Sequence, residues 1–145
     1  MLPDPPPALA ASSNTARSSA SSSTPSPGPC RHFNPELVRP YLKRLLGAPT
    51  ITGAVWERDA EMLGKRAEEM AGEVKRRMVD LEPTGYKYIC QVSVAERGPG
   101  TAGGGAGRAF LSTYWDPASD VCVSEVFQND SVLVTILAVA IRIQY

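Results

Sequence analysis

Between residues 54 and 81 the apolar side chains recur in steps of three and four: Trp56, Ala60, Leu63, Ala67, Met70, Val74, Met78 and Leu81. Such spacing puts all eight on one stripe of a helix. The remaining faces carry Glu57, Arg58, Glu61, Lys65, Arg66, Glu68, Glu69, Glu73, Lys75, Arg76 and Arg77. A free coiled coil competes with this reading, but the stripe lasts under four heptads and is rich in alanine, so docking on a sheet is expected. Upstream, Val38, Leu42 and Leu45 also keep helical spacing. There Asn34 can cap, Pro35 suits the first helical position, Glu36 faces the positive end of the helix dipole, and Gly47 closes the helix. Pro40 removes a backbone donor and should kink the first turn or delay the start.

Pro83-Thr84-Gly85 stops the long helix, and the period falls to two. One face of Tyr86-Lys87-Tyr88-Ile89-Cys90-Gln91-Val92-Ser93-Val94 reads Tyr, Tyr, Cys, Val, Val and the other is mostly polar, which predicts a half-buried strand. A second strand is expected over about Arg108 to Trp115, a third over about Val121 to Gln128, and a fourth over Val132 to Tyr145. Asp116-Pro117-Ala118-Ser119-Asp120 and Asn129-Asp130 supply turn chemistry between them. Short links imply antiparallel pairing of strands two to four. The last strand is apolar on both faces through Ile141, so it should be central, with helices on one side and a further layer on the other. Two helices cannot supply both layers. A second copy or a homologous subunit would provide the missing one.

Composition changes the picture mainly at the N-terminus. Residues 1–30 are dominated by Pro, Ser and Ala and cannot bury enough apolar surface to offset chain entropy, so a disordered arm is expected there. Thr24-Pro25 and Ser26-Pro27 are proline-directed phosphorylation candidates within it. Residues 31–145 then form one folded domain, and a multidomain enzyme is excluded. Fifteen Lys and Arg balance fifteen Asp and Glu, leaving no excess positive charge for nucleic acid or an anionic membrane. Cys30, Cys90 and Cys122 are odd in number and lack a C-x-x-C pair, a pattern of reduced thiols in the cytosol. The start, Met1-Leu2-Pro3-Asp4, has no basic or apolar signal character, and the run Val132 to Ile141 is shorter than the roughly 20 residues of a bilayer span. A soluble, intracellular protein is expected.

Candidate chemistry is sparse. Gly98-Pro99-Gly100-Thr101-Ala102-Gly103 matches G-x-G-x-x-G, but the chain continues through Gly104-Gly105-Ala106-Gly107 into another expected strand, with no helix N-terminus to bind a phosphate. A glycine-rich connection is the better reading. Asn129-Asp130-Ser131 is formally a glycosylation acceptor and more simply a hairpin turn. Trp115-Asp116 occurs once, without the repeat of about 40 residues that a propeller needs. His32 is the single histidine and no cysteine has a credible catalytic neighbour, so no enzyme, metal site or cofactor is expected.

From Phe33 onward the chain resembles the Tctex-type dynein light chains. The resemblance rests on Phe33-Asn34-Pro35 with Val38, Tyr86-Lys87-Tyr88-Ile89-Cys90-Gln91-Val92, Glu96-Arg97-Gly98-Pro99-Gly100, Trp115-Asp116-Pro117 with Asp120, and Phe127-Gln128-Asn129-Asp130-Ser131. Phe33-x-Pro35-x-x-Val38 is similar to the second branch of that family, associated with axonemal and ciliary dyneins. The chain departs from the family pattern in a longer Gly98 to Gly107 connection, in Ser112-Thr113 where Arg-Cys is common, and in Ala140 where glycine is frequent. The resemblance implies an α+β fold of two N-terminal helices on a four-stranded antiparallel sheet, dimeric through a swapped second strand. It further implies a non-catalytic light chain of a microtubule motor in the cytoplasm and cytoskeleton, in the axoneme of a cilium or flagellum. Its partners would be another Tctex-type chain, in a homo- or heterodimer, and a dynein intermediate chain. An extended partner segment would add to the sheet as a strand, with Phe110, Ser112, Tyr114 and Trp115 as partner-binding residues or as ordinary sheet packing. The alternative is a generic cargo adaptor that uses the same sheet outside any dynein.

Overall fold

The computed structural model describes residues 32–98 and 110–144. The expected arm, the phosphorylation candidates and nearly all of the glycine-rich connection lie outside the described residues. A 3₁₀ turn at Pro35–Leu37 leads into helix α1 (Arg39–Leu46), followed by a short helix α2 (Pro49–Thr52) and the long helix α3 (Trp56–Leu81). Strands β1 (Tyr86–Glu96), β2 (Val121–Gln128) and β3 (Val132–Arg142) complete the fold.

The local signals explain most of these boundaries. Asn34 Oδ1 accepts the Glu36 N–H at 3.0 Å, and Pro35 starts the 3₁₀ turn as its first residue. The α-helix proper is delayed to Arg39 with Pro40 in its first turn, where a missing N–H costs nothing. Helix α2 is an addition to the expected elements. Its signal was present in Pro49 at the start and Gly53 at the end, but four residues are too few to show periodicity. Ile51 from this turn is fully buried. Helix α3 starts two residues later than expected because Val55 stays extended as its N-cap while the Ala54 carbonyl accepts a bond from Asn129 Nδ2 at 2.9 Å. Gly85 adopts φ +86°, a conformation glycine accepts without strain, and its carbonyl accepts the Ile143 N–H at 2.8 Å.

Of the expected stripe, Leu63, Ala67, Met70, Val74 and Met78 are buried, while Trp56, Ala60 and Leu81 are partly so. The stripe lies on a three-stranded antiparallel sheet of order β1-β3-β2. Helix α3 runs over β1 and α1 over β2. The last strand is central, as its two apolar faces require: Val132, Val134, Ile136, Ala138 and Ala140 point to the helices and are fully buried. They join Phe33, Val38, Leu42, Ile51, Leu63, Met70, Val74, Met78 and Val123 in one core. Phe33 packs at 5.9 Å from the Tyr86 ring and 5.6 Å from that of Tyr88, and its N–H donates to the Tyr86 hydroxyl at 2.9 Å. The Tyr88 hydroxyl donates to the Glu82 carbonyl, satisfying an acceptor at the end of α3.

Among the described residues three of the four expected strands form. Residues 110–115 of the anticipated Arg108 to Trp115 strand pair with no other strand, and 108–109 lie outside the described residues. A strand needs a paired backbone, and the described residues offer this segment none. Ser119 N–H and Asp120 N–H both donate to the Asp116 carbonyl, at 3.1 and 2.8 Å. That is a helical-type turn, and it leads directly into β2.

Candidate partner-binding surface

The helices cover one face of the sheet, and the register defines what the other face presents. Ile89 of β1 pairs with Val139 of β3, which pairs with Cys122 of β2. The next row is Gln91, Leu137 and Ser124, and beyond it Ser93, Thr135 and Val126. Ile89 and Val126 are 53% and 56% exposed. Among the described residues no second layer covers this face, which carries exposed Ile89 and Val126, half-buried Leu133 and Leu137, and a buried Val139 around a few small polar side chains. Among the described residues both β1 and β2 are edge strands, with one side of the backbone unpaired.

Immediately before β2, Phe110, Leu111, Ser112, Thr113, Tyr114 and Trp115 are all exposed. Phe110 is 91% exposed, Leu111 69% and Tyr114 106%. Four large apolar or aromatic residues in a run of six are more than a solvated segment normally shows. Tyr114 and Trp115 line one hollow with Asp116, Pro117, Asp120, Arg142 and Gln144, of about 510 Å³. Phe110 and Ser112 do not reach it. The structure thus brings two of the four sequence-identified residues together and leaves the other two on the surface upstream.

The hollow is held by carboxylates. Asp120 Oδ2 accepts the Asp116 N–H at 2.8 Å, and its other oxygen accepts the Arg142 N–H at the end of β3, also at 2.8 Å. Asp116 accepts from the Ala118 N–H at 3.0 Å and from the Ser119 hydroxyl at 3.0 Å. These bonds favour the ionised form: the Ala118 N–H, then the Ser119 hydroxyl, and more weakly the charge of Arg142 hold the Asp116 carboxyl below its ordinary value. The turn therefore fixes the point from which Phe110–Trp115 departs. Sequence reasoning identified Asp116 and Asp120 as turn residues but had no means of finding the bond to Arg142, which joins positions 22 residues apart.

Neither thiol of the described residues is activated. Cys90, on the helix-facing side of β1, is pushed up to about 11 by burial, and burial also raises Cys122. Among the described residues no three His, Cys, Asp or Glu side chains gather as a metal site would require. The chemistry on offer is backbone hydrogen bonding along the open edges, apolar contact across the uncovered face, and an exposed aromatic segment beside them.

No curated protein matches the chain at a significant level. The model of the Tctex-1 family matches residues 32–141, which takes in all three helices, β1, β2, all but the last residue of β3, and the exposed segment. The chain belongs to the Tctex-1 family of non-catalytic dynein light chains.

Proposed function

We propose that this light chain is a scaffold that pairs with another Tctex-type chain, and that the pair receives an extended segment of a dynein intermediate chain. The observation that carries the proposal is Phe110–Trp115: an exposed segment with four large apolar or aromatic residues that, among the described residues, pairs with no strand and accompanies a sheet with open edges and a partly exposed apolar face. Given to a second chain as a strand, the segment would satisfy its own backbone and fill that chain's open edge. Its alternate residues, Phe110, Ser112 and Tyr114 against Leu111, Thr113 and Trp115, would then lie on opposite faces. The face that exposes Ile89 and Val126 beside Leu137 would gain a neighbouring layer. Backbone bonds to the intermediate chain supply affinity and the side chains of the groove supply specificity. The Phe33-x-Pro35-x-x-Val38 pattern supports a place among the axonemal dyneins, with residues 31–145 as the light-chain domain and residues 1–30 dispensable for assembly.

Size-exclusion chromatography coupled to light scattering tests the pairing, with the chain alone, with a Tctex-type partner, and with that partner plus an intermediate-chain fragment. A stable, folded monomer in all three would overturn it. Shortening Thr101 to Gly107 by six residues removes roughly 20 Å of reach and should impair pairing if the segment crosses between chains. Co-sedimentation with axonemes, followed by salt extraction alongside outer-arm or inner-arm heavy chains, separates the dynein role from that of a general cargo adaptor.

A further inference from the structure

Between the first turns of α1 and the last turns of α3 lies a second hollow, of about 360 Å³, lined by Leu37, Pro40, Tyr41, Arg44 and Arg77. It shares no residue with the surface assigned to light-chain pairing. The guanidinium carbon of Arg44 stands 5.0 Å from the centroid of the Tyr41 ring, and that of Arg77 stands 5.9 Å from it. One half-buried ring thus gathers two cations from two different helices.

Nothing on the described chain neutralises them. Ion pairs engage Arg39, Arg58, Lys65 and Arg66, but neither Arg44 nor Arg77 among the described residues. Glu73, one turn before Arg77, is taken by Arg66 at 2.9 Å, and Asp80, three residues after it, makes no ion pair with it. Both arginines line the same hollow beside that ring, so an anion seated in the hollow has two cations to meet.

The charge and geometry select the kind of anion. A single carboxylate would offset only one of the two cations. A phosphate monoester carries about −1.5 to −2 at pH 7 and offers three acceptor oxygens, which match two planar guanidinium forks. Leu37, 54% exposed, and Pro40 provide an apolar wall for the carbon stem beneath such a group. We propose that this hollow is a receptor for a phosphorylated serine or threonine of a partner protein, docking on the helical side while the sheet side serves light-chain assembly.

The test is a titration of the full chain, followed by amide and arginine side-chain NMR, with end-capped phosphoserine, capped serine, capped glutamate and inorganic phosphate in parallel. Capped phosphoserine should shift the resonances of Tyr41, Arg44 and Arg77 saturably and bind at least about tenfold more tightly than capped glutamate. Arg44→Gln and Arg77→Gln should each weaken it several-fold and the double variant by more than about tenfold, while Lys87→Gln on β1 should change nothing. Both arginines are exposed, so all variants should keep the parent melting temperature; if the double variant does not, the single ones decide. Binding undiminished by these substitutions, or glutamate binding as tightly as phosphoserine, would overturn the assignment. Inorganic phosphate matching capped phosphoserine would also overturn it, since the apolar wall would then contribute nothing.

Discussion

Ser131 caps a helix that begins 75 residues earlier in the chain: its Oγ accepts the Trp56 N–H, the first of α3, at 2.8 Å. Val55, the N-cap by position, has no side-chain oxygen to offer, so a hairpin on the sheet provides what the local sequence lacks. Beside it Asn129 Oδ1 accepts the Ser131 and Val132 N–H groups, both at 2.8 Å, and Nδ2 donates to the Ala54 and Thr52 carbonyls at 2.9 and 3.3 Å. The β2–β3 turn and the start of α3 are thereby one unit.

Ser131→Ala should therefore lower stability by about 0.5–2 kcal/mol, the range for losing a helix cap. Asn129→Asp should cost more than Ser131→Ala, because it keeps the acceptor but turns a carboxylate toward two carbonyl oxygens that had a donor. Urea unfolding of the two variants checks the order. Equal midpoints to the parent would show that the turn does not hold the helix.

Leu63→Asp should unfold the domain. Leu63 is fully buried in the middle of the α3 stripe, and the change loses roughly 1.5–3 kcal/mol of apolar burial in addition to the cost of desolvating a charge. Glu69→Ala, on the exposed face, should shift stability by less than about 0.5 kcal/mol, since Arg66 retains Glu73 as a partner. Thermal melts of both variants, followed by circular dichroism, separate the two faces of the helix.

Phe110→Ser with Tyr114→Ser should leave the isolated fold unchanged within about 0.5 kcal/mol, because neither side chain is buried in the single chain. If the segment is exchanged, the same substitutions should weaken pairing with a Tctex-type partner by at least about tenfold, as losing two aromatic anchors at an interface does. Analytical ultracentrifugation gives the second number and denaturation the first. Pairing at parent strength would place partner recognition elsewhere on the sheet.

Acid should loosen the turn before β2. Asp116 has its folded-state value below the ordinary 3.8, so its contribution is complete above that value and is lost as pH falls toward and through the lowered one. Asp116→Asn should be less stable than the parent near neutral pH, and the gap should narrow on acidification below about pH 4. A gap that widened in acid would contradict the sign.

Features that depend on neighbours along the chain are legible without a structure. The stripe from Trp56 to Leu81, the alternation in Tyr86 to Val94 and the two apolar faces of Val132 to Ile141 specify a covering helix, a half-buried strand and a central strand, because burial repeats with the period of the backbone. The residues that carry the family resemblance, Asp116 with Asp120 and Asn129 with Ser131, were legible as turns. Their partners were not: the bonds to Arg142, Ala54 and Trp56 exist only once distant segments are packed together. Nor could periodicity decide the state of Phe110–Trp115, whose pattern suits a strand as well as any other in the chain. A strand is a property of a pair of backbones, and among the described residues this segment has no mate. The convergence of Arg44 and Arg77 on Tyr41 was likewise set by the crossing of α1 over α3, since residues 33 positions apart share no local signal.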